Sequence, residues 1–599
     1  MKKLTKFLAI LMAMGLSMST FAACGGGGGD ESSEDPYANV QIDATKTQLN
    51  VYNYNGGFGK EWLYDVIERF EEKYKDYQGA NGKVGVQIIP ESTSKTLGTD
   101  FLKNPGHNDV FFTEDVFYYD WVNENKMLDL TDALTAPLSE FGETRSVFDK
   151  MTPTQQNFYD TDTTDGKKVY AVPYRMNVEG IIYDVELFEE SSLYFAKGGA
   201  PSEYSTFTQA NNANKATGSW SGTASYTGNK ANASAGPDGK YGTEDDGLPA
   251  TYDEFFVLCD KMVSMGIKPF TWTGASRNGY LSNILQQLIV DFEGLDNYNV
   301  YMNYSGTATH LVESIDEAGN VTYKPATEIT TSNGWQMSAS AGRYYAARFF
   351  ERLIEKSDYF AQGAFSTYYK HMAAQEDFLR GKYNESEEGV RYAFLLDGIW
   401  WENEASETFA DMASDDDDDS RLNRKFKLMQ LPKATEKQIG EKATYSDNLH
   451  ALCFVNANTP ADRIDLAKKF VQFCFTDESN KNFNVLTGTP RPMGYTLDSA
   501  QLAKLSMFGK SVYELSKDQT AIAYPFANTR IYRTYSSNRD ANLPLAGGFV
   551  MPDGSLLAGG TLFDTFMYEN DNKSTNLARA IFLASTNALK TALSGEFNG

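Results

Sequence analysis

The sequence predicts an α/β protein of more than one body, and three observations predict it. Strand and helix patterns alternate in β-loop-α-β order, which builds parallel sheets with crossover helices. The segment Tyr170–Asn177 reads as a strand that leaves one body and enters another. The apolar run Phe394–Leu396 stops at Gly398, with Trp400 and Trp401 just past it. In open α/β sheets the ligand crevice lies beyond the carboxyl ends of strands. Rings there suit a ligand with apolar faces and polar edges, and a sugar is such a ligand. The alternative is two core tryptophans on the first turn of a helix.

Taken in order, the chain opens with a basic stretch, Met1–Lys6, and an apolar one, Phe7–Met18, ending Phe21-Ala22-Ala23-Cys24. This is the pattern of a secretory signal, too short to span a bilayer. Ordinary cleavage to a secreted product is the alternative to lipidation at the cysteine. Residues 24–44, Gly-rich and acidic, read as a flexible tether. Leu49–Asn53 alternates like a strand, Tyr54–Gly59 is a loop, and Lys60–Tyr77 is a helix with Trp62, Leu63, Val66, Ile67, Phe70 and Tyr74 on one face. Val84–Ile89, closed by Pro90, and Asp109–Thr113 are the next strands. The residues after the first and third strands, Asn53, Tyr54, Asn55 and then Thr113, Glu114 and Asp115, fall on the crevice side.

Val178–Asp184 is a strand. Ser202–Gly247 reads as a surface insertion, in which Asp238–Asp246 is either a calcium loop or an acidic turn. A helix over Tyr252–Gly266, a strand over Ile267–Trp272, a helix over Tyr280–Asp291 and a hairpin insert within Val300–Thr330 follow. Tyr344–Lys356 and Gln375–Leu379 are helical, and Asp415–Asp419 is a solvated loop. Thr459-Pro460-Ala461-Asp462 has the residues of a helix start, for a helix reaching Phe475. Leu577–Leu593 is a closing helix.

The 599 residues carry a net charge of −26, which disfavours nucleic acid as a partner. The cysteines of the folded region, Cys259, Cys453 and Cys474, are odd in number and set in apolar surroundings, so they read as buried thiols. No two histidines stand at metal-ligand spacing, and no metal or cofactor is expected.

Several segments fall in a recognisable order: the Cys24 signal, Tyr170–Tyr174 before Gly180–Asp184, Pro249–Phe255, Phe394–Glu404, Ala467–Val471 and Thr487–Pro490. Together they resemble the family 1 extracellular solute-binding proteins of ABC importers, the carbohydrate-binding group. Phe21, where that group usually has Leu, and the long inserts are departures. The resemblance implies a two-lobed periplasmic-binding-protein-like fold of type II. Lobe 1 would be residues 45–177 and 450–510, and lobe 2 residues 178–449 and 511–599, with a signal peptide over 1–23. It further implies lipidation at Cys24, anchoring at the outer face of a bacterial cell membrane, an oligosaccharide ligand, an ABC permease as partner and a monomeric protein. Trp400 stands where the family stacks a sugar.

A sugar needs a ring for its C–H face and planar amides, carboxylates or arginines for paired hydroxyls. The candidates are Asn53, Tyr54, Asn55 and Asp115 from lobe 1, Tyr174, Arg175 and Asn177 from the first crossing, and Trp272, Trp400 and Glu402 from lobe 2. Arg491 and Arg530 are weaker candidates that could equally form surface ion pairs. Two rival readings stand beside this one. Asp397 with Glu402 or Glu404 could serve a glycoside hydrolase, or the same fold could hold a peptide or polyamine.

Overall fold

The computed structural model describes residues 36–37, 40–94, 97, 106–114, 116, 118–203, 223–317, 319–330, 332–449, 451–518, 521–524, 549–555, 561–569 and 576–593. Cys24, Asp115 and Arg530 lie outside the described residues, as does most of the expected tether.

The fold is α/β, as predicted. The strands of its two main sheets are, in chain order, β1 (Thr47–Tyr54), β2 (Val86–Thr93), β3 (Val110–Thr113), β4 (Ala171–Pro173), β5 (Glu179–Asp184), β6 (Lys268–Thr271), β7 (Tyr392–Gly398), β8 (Phe426–Leu428) and β9 (Leu452–Val455). The first sheet has the order β2-β1-β3-β9-β4, and the second β6-β7-β5-β8. β1 runs parallel to β2 and β3, while β9 is antiparallel to β3 and β4. In the second sheet β6 and β7 are parallel, and β5 is antiparallel to β7 and β8.

Each sheet is built by burial. The helix Glu61–Lys73 lays Trp62, Leu63, Val66, Ile67 and Phe70 into the interior beside the first sheet. Side chains of that size stabilise by about 1.5–3 kcal/mol each when fully buried. β7 is buried along its whole length, as expected of a strand covered on both faces. The chain passes from the first sheet to the second in the few residues between Pro173 and Glu179. A second link runs through Tyr445–Ser446, which pairs in parallel with Ile522–Ala523.

Several boundaries differ from the sequence reading, each for a physical reason. Pro90 does not close its strand: it pairs with Val51 inside β2, an edge strand, where a missing N–H costs no ladder bond. The helix read as Tyr280–Asp291 runs from Arg277 to Asn303, broken only at Gly294, whose φ of 67° suits glycine. Thr459 does not cap a helix. Its hydroxyl donates to the Asp109 carbonyl, Arg463 pairs with the Asp109 carboxylate at 3.0 Å, and the helix starts at Ile464. Asp419 is not solvated: it is buried and accepts hydrogen bonds from Lys382 Nζ at 2.8 Å and Tyr383 at 2.6 Å. In the acidic turn, Asp245 Oδ2 accepts from the Asp238 N–H and Asp246 Oδ2 from the Gly242 N–H. Cys259, Cys453 and Cys474 are buried free thiols.

Candidate functional site

The segment between the two sheets places Arg175 at the junction of the lobes. Its guanidinium is 2% exposed, is ion-paired with Glu114 from the end of β3, and lies 4.1 Å from the Phe58 ring centroid and 5.8 Å from that of Trp400. Phe58 belongs to the loop after β1 and Trp400 follows the end of β7, so one cation touches rings from both lobes. Burial holds the Arg175 guanidinium down, to about 10.

Trp400 is half-buried, and Trp401 beside it is fully buried. The Tyr280 hydroxyl lies near the Trp400 indole. The indole sits close under Gly57, where a Cβ would lie 2.7 Å from Trp400 Cδ1; that glycine also has a φ of 73°, which disfavours any side chain. Gly398 makes the same room from the other side, since a Cβ there would meet the indole at 2.3 Å. Two hydrogen bonds cross the junction nearby: Asn403 Nδ2 donates to the Gly57 carbonyl at 3.2 Å, and Thr489 Oγ1 to the Ile399 carbonyl at 3.3 Å. Trp401 instead packs edge-on against Phe378 and Phe426 of lobe 2 and against Phe508 of the helix Met507–Lys517.

Carboxylates gather beside Trp400. Register pairs Gly398 with Glu179 and Asp397 with Gly180, so the end of β7 and the start of β5 place both acids at one end of the sheet, on opposite faces. Gln375 Nε2 donates to Asp397 at 3.0 Å and to Glu404 at 2.8 Å. Asn283 donates to Glu179 at 2.9 Å. Asp447, in the second link, accepts from the Asn177 N–H at 3.3 Å and the Leu449 N–H at 3.0 Å, holding Leu449 at a φ of 53°. Burial pushes the carboxyls of Glu179 and Asp447 up to about 7. Burial and then mutual repulsion raise Asp397 above the usual carboxylate range, and burial raises Glu404. His371, at the start of the helix His371–Arg380, lies near enough to Asp397 to feel its charge, though burial holds its imidazole down.

The sequence candidates divide. Arg175, Trp400 and Tyr54 come together, Tyr54 being half-buried at the end of β1 and within electrostatic reach of Arg175. Asn177 joins them through its backbone bond to Asp447. Asn53 is fully buried and holds the loop, donating to the Gly59 carbonyl at 3.3 Å and to Ser92 at 3.2 Å. Asn55 shapes the same loop, its carbonyl accepting from the Gly59 N–H at 3.0 Å. Tyr174 packs in lobe 1 against Phe112 and Trp62. Trp272 is 0% exposed in lobe 2, with its indole N–H donating to the Ala364 carbonyl at 2.9 Å and its ring against Phe360. Glu402 is buried at the seam with the helix Met507–Lys517, where Ser506 donates to it at 2.6 Å. Arg491 is buried in lobe 1 among Phe483, Phe475 and Trp62 rather than in a surface ion pair.

Glu179, Asp447, Gln375, Tyr280 and Phe58 are the neighbours that sequence reasoning missed. Glu179 and Asp447 stand at the two lobe links, so the crossing pattern was the one signal that could have found them. Among the described residues no group of three His, Cys, Asp or Glu side chains could hold a metal ion, and no helix is long and apolar enough to cross a membrane.

No family model and no curated protein matches the chain. Solved structures do. The solute-binding protein RafE in complex with raffinose is similar over 87% of this chain and all of its own, at 14% identity and a TM-score of 0.46; a ligand-free RafE structure is of the Streptococcus pneumoniae protein. A chitin oligosaccharide binding protein is similar over 88% of this chain and 98% of its own, at 14% identity and a TM-score of 0.47. A family 1 extracellular solute-binding protein from Bifidobacterium longum subsp. infantis is similar over 91% of this chain and 99% of its own, at 13% identity and a TM-score of 0.43. All three are solute-binding proteins, similar to this chain in shape at low sequence identity.

Proposed function

We propose that this protein is a receptor that captures an oligosaccharide between its lobes and does not transform it. The observation that carries the reading is the placement of Trp400: a half-buried indole at the lobe junction, beside Arg175 of the first lobe link and the Tyr280 hydroxyl. A sugar ring can pack its C–H face on such a plate while its hydroxyls meet the surrounding carboxylates and Arg175. A ligand that touches both lobes favours the closed arrangement by its differential affinity.

Turnover has weak support in this geometry. Asp397 and Glu404 accept hydrogen bonds from one amide nitrogen, so they lie side by side rather than on opposite faces of a scissile bond. On the receptor reading Cys24 carries a lipid that holds a monomer at the outer membrane face, which raises its effective concentration near an ABC permease. Changing Cys24 to Ser then releases the protein from the membrane fraction.

A thermal-shift screen of the purified protein against an oligosaccharide panel tests the function. At least one saccharide is expected to raise the melting temperature, with no product formed on incubation. Trp400→Ala should abolish that shift. Hydrolysis of the hit, or a full shift retained in the variant, contradicts the reading.

A further inference from the structure

We propose that the ligand is a saccharide bearing a free amine, its ammonium seated against Glu404 and the Gln375 amide oxygen, next to Asp397 and beside the Trp400 indole. The inference rests on the receptor reading and names the class of sugar.

Charge is the first observation. Glu114, Glu179, Asp397, Glu404 and Asp447 stand around the junction, and Arg175, the one arginine among them in the described residues, is already paired with Glu114. His371 and Lys370 on the neighbouring helix and the Tyr280 hydroxyl are the other titratable groups that face the set. Closing lobes over several carboxylates is costly unless they take up protons or a cation joins them.

Hydrogen-bond chemistry is the second observation and is independent of charge. Gln375 is fully buried; its nitrogen bridges Asp397 and Glu404, and its Oε1 has no partner among the described residues. Asp397 already accepts from Gln375 and from the Gly398 N–H, so the wall of open acceptors is Glu404 and the unused Gln375 oxygen, backed by the remaining lone pairs of Asp397. An ammonium offers three donors and accepts nothing, so it uses such a wall fully, whereas a hydroxyl leaves its own acceptor sites unmet. Trp400 adds a ring face that attracts a cation. Arg175 Nε, buried without a partner, remains as a donor for a neighbouring ring hydroxyl.

Titration calorimetry on the mature protein separates the possibilities with four probes: a β-1,4 glucosamine tetramer, its N-acetylated form, cellotetraose and spermidine. The glucosamine tetramer is expected to bind at least about tenfold tighter than either neutral tetramer, the scale of one charge-assisted hydrogen bond. That preference should collapse in Glu404→Gln, with Asp397→Asn as the second variant and melting curves to confirm that both fold. It should also shrink at acid pH as the carboxylates take up protons. Equal or tighter binding of a neutral tetramer overturns the amine inference and leaves the receptor reading intact. Silence toward the glucosamine tetramer overturns the amine inference, and a response to spermidine alone overturns both.

Discussion

The two walls of the lobe junction are built from different chemistry. Lobe 1 contributes Phe58, Tyr54 and a loop held by the buried Asn53 amide, with Glu114 neutralised by Arg175. Lobe 2 contributes one indole and a row of carboxyls that burial makes reluctant to ionise. The contrast assigns different jobs. The lobe 1 wall is preformed and nearly neutral. The lobe 2 wall carries the ring and the acceptors that a ligand would satisfy.

The sharpest way to break this contrast is within the pair of adjacent tryptophans. Trp401→Ala removes a fully buried ring and should cost about 3–5 kcal/mol, read as a large fall in the denaturant midpoint. Trp400→Ala should cost less than about 1 kcal/mol and remove ligand binding instead. Comparable destabilisation by the two would erase the distinction between plate and core.

Next in size is Glu179→Gln. The Glu179 carboxyl is raised by burial, so its stabilising contribution is fully present below about pH 4, the unfolded carboxylate range, and is lost as pH rises through about 7. The variant cannot ionise. It should match the wild type near pH 4 and exceed it by on the order of 1–3 kcal/mol at pH 8. No difference across that range would mean that the acid wall is solvated.

Gly57→Ala comes third. The left-handed backbone and the close approach to Trp400 should together cost about 1 kcal/mol, and the variant should scatter as a more open particle in solution. Smallest is Asn403→Ala, which removes one part-buried hydrogen bond across the junction, worth about 0.5 kcal/mol. Its mark should be weaker contact between the lobes with the lobe cores unchanged, visible as faster amide exchange confined to the Gly57 loop.

Much of the fold was legible because it follows from periodicity. The face Trp62–Phe70 and the buried run of β7 announce themselves by spacing. Pro90 and Thr459 misled because each has a local preference that tertiary context overrode: an edge position for the proline, a bond to Asp109 for the threonine. The site was half legible. Trp400 and Arg175 could be placed from a strand end and a lobe crossing, but nothing local separates Trp272 from Trp400, since both follow apolar strands and only packing buries the first. Glu179, Asp447 and Gln375 were hidden for a related reason. A polar side chain looks solvated in sequence, and its burial is decided by distant segments: Asn177 lies 270 residues from Asp447, and Asn283 lies 104 from Glu179.

A crystal structure of the protein with the saccharide that gives the largest thermal shift tests the central claim most directly. The account predicts one sugar ring in van der Waals contact with the Trp400 indole, about 4 Å away, with hydroxyl or amine groups bonded to residues of both lobe links. Density for the saccharide away from the lobe junction, or a Trp400 ring that the ligand does not touch, would contradict it.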